Sequence, residues 1–364
     1  GLIGFGLLVG LLLGEIVIRI FFPQKLVKPC FQNDSEVALS GVPDCEYLDD
    51  WEADFFKYHV RLNNLGFRMN SDVETSDTNL TLCLGDSFTY GWGVNRDDSF
   101  FGILEKTADK FGVESKLVNV GFPAYSTGHC TKILEKISEK YAVKKAIYFM
   151  YFNDVFDNVS ENINYRSHVF EENSDGEIEL KSVKVFSKTK RIWHALKVPD
   201  WLYKNSHLTI FLKKVLQGEQ KTITQQEPFF ENNLSEETIE KMTKVSLAHL
   251  ENLAQKCEER NIELMVVWIP CWLELDIEND QDWVNNFPYD AFKKNVRDFE
   301  NLSHLESLNF LDPTEKMNQF LDEKNAIVSD YYFGEGHYNK NGNLLFYQSI
   351  WEEIIWFLSF EHQN

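Results

Sequence analysis

Ser87 stands in residues 80–94, LTLCLGDSFTYGWGV, where five mostly apolar residues run straight into Gly85, Asp86 and Ser87. A run of that length and composition reads as a buried strand. A serine set where such a strand ends at a glycine-containing turn can be lifted clear of the sheet with its hydroxyl outward. That is where open α/β sheets put their chemistry, beyond the carboxyl ends of the strands. The chemistry would be nucleophilic. A serine hydroxyl attacks a carbonyl only once a base takes its proton, and histidine is the base whose pKa suits neutral pH. A turn with an N-capping serine accounts for Gly-Asp-Ser taken alone, so the surrounding elements decide.

Those elements alternate. After the Gly-Asp-Ser turn, residues 100–111 have helical spacing at Phe100, Ile103, Leu104 and Phe111, and 116–120 read as a second strand. Residues 127–141 are helical, with Ile133, Leu134, Ile137 and Tyr141 on one face, and 145–152 (KAIYFMYF) form a third strand, apolar on both faces as in a parallel sheet. A long helix over 236–260, a fourth strand over 262–269 ended by Pro270, a helix over 289–305, a short fifth strand over 308–311 and a final amphipathic helix over 339–360 complete the series. This alternation implies a three-layer α/β/α, flavodoxin-like sandwich around a five-stranded parallel sheet. Residues 157–230 break the rhythm as a polar insert, with Gly176 at an expected hairpin tip. A lid over the substrate end of the sheet and a surface subdomain both fit that insert.

At the other end of the chain, Leu2 to Leu13 are apolar without interruption, followed by Glu15, Arg19 and then Ile20 to Pro23. Twenty-two helical residues reach about 33 Å, close to a hydrocarbon core of about 30 Å. Residues 1–23 therefore read as a transmembrane anchor rather than a cleaved signal, since no small-residue cleavage site follows. Glu15 and Arg19, four apart with the acid first, can pair on one helix face. Residues 24–79 are polar and read as a stalk and lead-in. Arg19, Lys25 and Lys28 after the span would on their own place that side in the cytoplasm. Cys30 and Cys45 could pair if the domain is exported.

Composition narrows the classes. The chain has 364 residues, 43% hydrophobic and 14% aromatic, enough for one large domain with an insert or for two domains. A net charge of −21 repels phosphate backbones, so nucleic acid is not an expected partner. Six cysteines without a CxxC, and nine histidines without HExxH, give no metal pattern.

The Gly-Asp-Ser block resembles the first block of the SGNH/GDSL hydrolase family, whose serine is the nucleophile, and three further blocks follow in the family's order. These are NVGFPAYST from Asn119, Phe152-Asn153-Asp154, and GEGHYN from Gly334. Asn63-x-x-Gly66-Phe67-Arg68, upstream, is similar to membrane-anchored bacterial members. The resemblance implies Ser87 as nucleophile, His337 as base, and an oxyanion hole from the Ser87 backbone N–H, Gly121 N–H and the Asn153 amide. A missing side chain at Gly121 would let a ligand approach the backbone. The commonest family pattern has Asp three residues before the histidine, but that position is Gly334 here. Glu335 is then the expected orienting acid, with Asp330 the alternative. No metal or organic cofactor is expected.

The function implied is a membrane-anchored, extracytoplasmic serine esterase or deacylase working through an acyl-serine, with an acylated carbohydrate or lipid of the envelope as substrate. An O-acyltransferase of the same fold, modifying an envelope polysaccharide, is the first alternative. A non-catalytic binding module on a hydrolase scaffold is the second. Trp356, Phe357 and Phe360 are expected to pack in the core rather than touch membrane.

Overall fold

The computed structural model describes residues 1–24, 26, 30–34, 36–50, 56–159, 168–172, 178–182, 200–217, 234–275, 288–298, 309–334 and 336–359. In chain order these form α1 (Leu2–Phe21), β1 (Phe31–Asp34), β2 (Ala38–Gly41), β3 (Glu46–Asp49), β4 (Tyr58–Arg61), β5 (Leu80–Gly85), α2 (Ser87–Tyr90), α3 (Phe100–Lys110), β6 (Lys116–Asn119), α4 (Thr127–Ser138), β7 (Val143–Tyr151) and α5 (Phe152–Asp157). The series continues with β8 (His168–Glu172), β9 (Ile178–Ser182), α6 (Asp200–Asn205), α7 (His207–Gln217), α8 (Glu236–Glu258), β10 (Glu263–Ile269), α9 (Trp272–Leu275), α10 (Tyr289–Asp298), β11 (Asn309–Leu311), α11 (Thr314–Lys324) and α12 (Lys340–Ser359).

The expected sheet is present. Five parallel strands lie in the order β11-β10-β7-β5-β6. The chain starts this sheet near its middle, goes to one edge and then crosses back, so the direction of winding reverses between β5 and β7. The crevice at such a reversal is where doubly wound sheets receive ligands. Side chains alternate between faces along each strand. Leu82, Leu84, Tyr148 and Trp268 pack on one side with α4 and α8, and Cys83, Ile147, Phe149 and Val267 on the other with α3, α11 and α12. The apolar runs are continuous because both faces are covered.

The structure departs from the sequence expectation between residues 30 and 79. This segment forms two short antiparallel pairs, β1–β2 and β3–β4, and it is no free stalk. Cys30, Tyr58, Val60, Leu62, Met69 and Val73 are buried in the same cluster as the sheet. The physical reason is alternation. In Tyr58-His59-Val60-Arg61 the first and third residues point inward and the second and fourth outward, so half-polar composition conceals a buried face. Cys30 and Cys45 are disulfide-bonded across this segment.

Within the insert, β8 and β9 pair antiparallel beside α4 and α8. Gly176, the expected hairpin tip, lies outside the described residues. α6 and α7 pack on one another, and α7 packs on α1. At the far end of α12, Phe357 is buried while Trp356 is exposed, and Phe360 lies outside the described residues.

Candidate active site

β5 delivers the serine. Gly85, its last residue, has φ +151°, and a Cβ there would lie 2.1 Å from Thr89 Oγ1. Only glycine makes this turn without a clash. Asp86 then caps the single-turn helix α2, its Oδ1 accepting the Phe88 N–H at 2.8 Å. Ser87 is the first residue of that helix and is half-buried.

The histidine arrives on a hairpin beyond β11. Tyr332 and Tyr338 bridge antiparallel, and Phe333 N–H donates to the His337 carbonyl at 2.8 Å. Both tyrosine hydroxyls donate to the Pro270 carbonyl at the end of β10, Tyr332 at 3.3 Å and Tyr338 at 2.8 Å. Asn339, two residues on, accepts the N–H groups of Asn341 and Gly342 at the start of α12. The hairpin is thus tied to the sheet on one side and to a helix on the other. His337 lies against Phe88, ring centroids 4.9 Å apart, and near Trp92, at 6.1 Å.

Ser87 Oγ and His337 Nε2 are 2.7 Å apart across 250 residues of chain. That is hydrogen-bond reach for a hydroxyl and the imidazole nitrogen that would take its proton.

The chain matches no protein-family model and no curated protein. Solved structures to which it is similar include an acetyl xylan esterase, AlAXEase, at 12% identity and TM-score 0.41, covering 76% of this chain and 99% of that one. A psychrotrophic esterase, EstA from Pseudoalteromonas sp., matches at 13% identity and TM-score 0.38, covering 78% and 100%. Axe2, an acetyl-xylooligosaccharide esterase from Geobacillus stearmophilus, matches at 11% identity and TM-score 0.41, covering 80% and 99%. At these identities the likeness concerns the fold alone.

The other sequence-picked residues fall as follows. Gly121 follows β6, and its N–H donates to Asn119 Oδ1 at 3.1 Å. The same Asn119 side chain donates through Nδ2 to the Thr89 carbonyl at 2.8 Å. A Cβ at Gly121 would lie 2.6 Å from Thr89 Cβ, 2.7 Å from Thr89 Cγ2 and 3.0 Å from Tyr90 N. Sequence reasoning linked this glycine to ligand approach, and in the structure its bare Cα also makes room for α2. Asn153 follows β7, and its Nδ2 donates to Asp157 Oδ2 at 3.3 Å. Asp330 is exposed, and its backbone carbonyl accepts Asn339 Nδ2 at 2.8 Å. Among the described residues no hydrogen bond joins the Asp330 carboxylate to His337. Glu335 lies outside the described residues.

Three carboxylates gather behind the serine. Burial is the main force on each. It pushes Asp86 up, and the Phe88 N–H, the His337 charge and the Asn153 amide pull it part of the way back. Asp154 is raised by burial and then by the charges of Asp86 and Asp157. Asp157 is pushed up to about 7 by burial and then by Asp86. Like charges this close in a poorly solvated place resist ionising together. Among the described residues no group of three or more His, Cys, Asp or Glu side chains is arranged to hold a metal ion, this group included.

Sequence reasoning missed Arg68 as a support. It is 2% exposed. One guanidinium nitrogen donates to the carbonyls of Tyr90, at 2.9 Å, and Gly91. The other donates to Val94 at 2.6 Å and His59 at 3.2 Å. It therefore gathers the orphan carbonyls where α2 ends, and fixes the helix that carries Ser87 from behind. The available signal was an arginine two residues past a glycine turn, between apolar neighbours.

Proposed function

We propose that this chain is a serine ester hydrolase of the SGNH/GDSL type, held to a membrane by α1, acting on an acylated carbohydrate or lipid of the cell envelope. One observation carries the reading: Ser87 Oγ within 2.7 Å of His337 Nε2, at the carboxyl end of β5, next to the reversal point of the sheet. His337 takes the serine proton as Oγ attacks the ester carbonyl. The alcohol leaves with that proton, and water, activated by the same imidazole, releases the acid from the acyl-serine. Donors for the oxyanion are the Ser87 backbone N–H, the Gly121 N–H and the Asn153 amide. The last two must turn from Asn119 and Asp157 to the developing charge. Glu335 is the proposed orienting acid. In sequence it stands two residues before the histidine, with Gly336 between them.

Two further features support the envelope setting. The Cys30–Cys45 disulfide suits an oxidising compartment. α1 is 20 residues long with mean hydropathy 2.1, which is a span's length and composition, although a signal sequence shares both.

A fluorophosphonate probe tests the nucleophile. It should label the wild-type protein at Ser87 and leave folded Ser87→Ala unlabelled, while p-nitrophenyl acetate turnover falls to background. Labelling that persists in Ser87→Ala would refute the assignment.

A further inference from the structure

The insert meets the apolar helix at a corner, and the fit is specific. Glu15 faces the junction of α6 and α7. Its Oε2 accepts the Ser206 hydroxyl at 2.8 Å and the Leu208 N–H at 2.9 Å, and its Oε1 accepts the His207 N–H at 3.0 Å. Arg19, one helical turn on, pairs with Glu15 at 3.0 Å and donates to the Asn205 carbonyl at 2.8 Å. The carboxylate therefore accepts the N–H groups that open α7, and the guanidinium donates to the carbonyl that closes α6. Each charge meets the helix end whose dipole it complements. Packing follows the same line. A Cβ at Gly14 would lie 3.2 Å from Leu208 Cδ2, and the Phe22 and Phe211 rings are 6.0 Å apart. Backbone N–H of Gln24 donates to His207 Nδ1 at 2.8 Å.

This latch leaves one apolar stripe half covered. Leu208, Phe211, Leu212 and Val215 share a face of α7 by the three-and-four spacing of a helix. The first two lie on α1. Leu212 is 41% exposed and Val215 60% exposed. Leu2 to Leu13 of α1 are also exposed.

The placement of Glu15 bears on depth. It lies six residues before the end of a 20-residue helix, about 9 Å along the axis, which would sink an ionised group well into hydrocarbon if all of α1 spanned. With Ser206, His207 and Leu208 around it, the carboxylate instead marks a polar level, and the helix corner shares that level.

We propose that the α6–α7 corner is an interfacial foot: latched to the anchor by Glu15 and Arg19, it lays Leu212 and Val215 into the headgroup layer of a phospholipid bilayer and fixes how the catalytic domain stands on the membrane. Leu2 to Leu13 then lie on the hydrocarbon side of Glu15. An amphipathic helix bound in this way draws on its buried apolar area and on attraction of basic residues to anionic lipid. α7 carries Lys213 and Lys214 in sequence.

The inference rests on α1 being a membrane anchor, and the test separates the two. The full chain is reconstituted in vesicles of phosphatidylcholine and phosphatidylglycerol. Nitroxide labels are placed singly at Leu8→Cys, Leu212→Cys, Val215→Cys and, as an aqueous reference, Ile327→Cys, which replaces a residue that is 61% exposed. Collision with oxygen against a nickel chelate reads depth. The expected order is Leu8 in hydrocarbon, Leu212 and Val215 at the headgroup level with oxygen favoured over nickel, and Ile327 in water. Glu15→Ala should return the Leu212 and Val215 labels to water while Leu8 stays embedded. Aqueous behaviour at 212 and 215 in the parent, with Leu8 embedded, overturns the foot and leaves the anchor standing. An aqueous Leu8 overturns the anchor and the foot with it. Unchanged depth in Glu15→Ala overturns the latch.

Discussion

Gly121→Ala separates steric support of the nucleophile from room for a ligand. The added Cβ would sit 2.6 Å from Thr89 Cβ and 2.7 Å from Thr89 Cγ2. Carbon–carbon contact settles at about 3.5–4.0 Å, so α2 or the end of β6 must retreat by about 1 Å. α2 is a single turn with Ser87 as its first residue, and it cannot absorb that shift without moving Oγ relative to His337 Nε2. Overpacking of this kind destabilises by about 1–3 kcal/mol. A 1 Å error at the reacting atoms lowers rate by about 10²-fold. The expected result is a folded protein with p-nitrophenyl acetate kcat reduced by about 10² and fluorophosphonate labelling slowed in proportion. Thr89→Gly removes both clashing carbons, and of the three nearest atoms Tyr90 N at 3.0 Å remains. The double mutant should therefore regain most of the activity of Thr89→Gly alone. If Gly121→Ala is as active as wild type, the packing argument fails. If Thr89→Gly restores nothing, the alanine acts on the ligand side rather than through α2.

Glu335→Gln should lower kcat by about 10⁴-fold with little change in KM, since losing the acid that orients a catalytic histidine has that scale. Asp330→Asn, at an exposed position, should stay within a few-fold of wild type by about, and the reverse ranking in steady-state kinetics would exchange the two roles. Arg68→Lys, losing the planar fork, leaves carbonyls of Tyr90, Gly91 or Val94 short of donors and should cost about 2–3 kcal/mol in urea unfolding; an unchanged midpoint would contradict its role as a clamp. Asp157 contributes stability that is lost as pH rises from about 4 to about 7. Asp157 is pushed up to about 7 in the fold but ionises near 3.9, by about the model-peptide value, when unfolded. Across that window the folded chain holds the extra proton, so raising pH favours unfolding. Melting temperatures from pH 4 to 8 should show a shallower fall in Asp157→Asn than in wild type, and equal slopes would remove Asp157 as the cause.

The sheet was legible because parallel strands covered on both faces are written as unbroken apolar runs, as at 80–84 and 145–152. Ser87 and His337 were picked out by the resemblance of their blocks to a known family, and for Ser87 also by its place at a strand end. The fold of residues 30–79 was not, because its short strands alternate and average out as polar. Arg68 was overlooked because four carbonyl partners, spread over residues 59–94, leave no pattern in a linear reading. The place of Gly121 depends on Thr89, which sits on another element. Glycine looks the same in sequence whether it clears space for a ligand or for a helix. The latch at Glu15 needed a contact across 191 residues, and the sequence offered only its local partner, Arg19.

The hairpin that carries His337 has a consequence for the order of assembly. His337 follows β11, an edge strand, while Ser87 follows β5, the first strand of the sheet in the chain. A loop of 250 residues closes only after the intervening strands have bridged it, since distant contacts gain little until the chain between them is ordered. The hairpin is held by Pro270 and by the start of α12, where Asn343 Oδ1 in turn accepts the Phe100 N–H at 3.0 Å. During synthesis, then, the serine is in place on a nearly finished sheet before its base exists. The pairing of Ser87 with His337 therefore comes late, when α12 docks on α3.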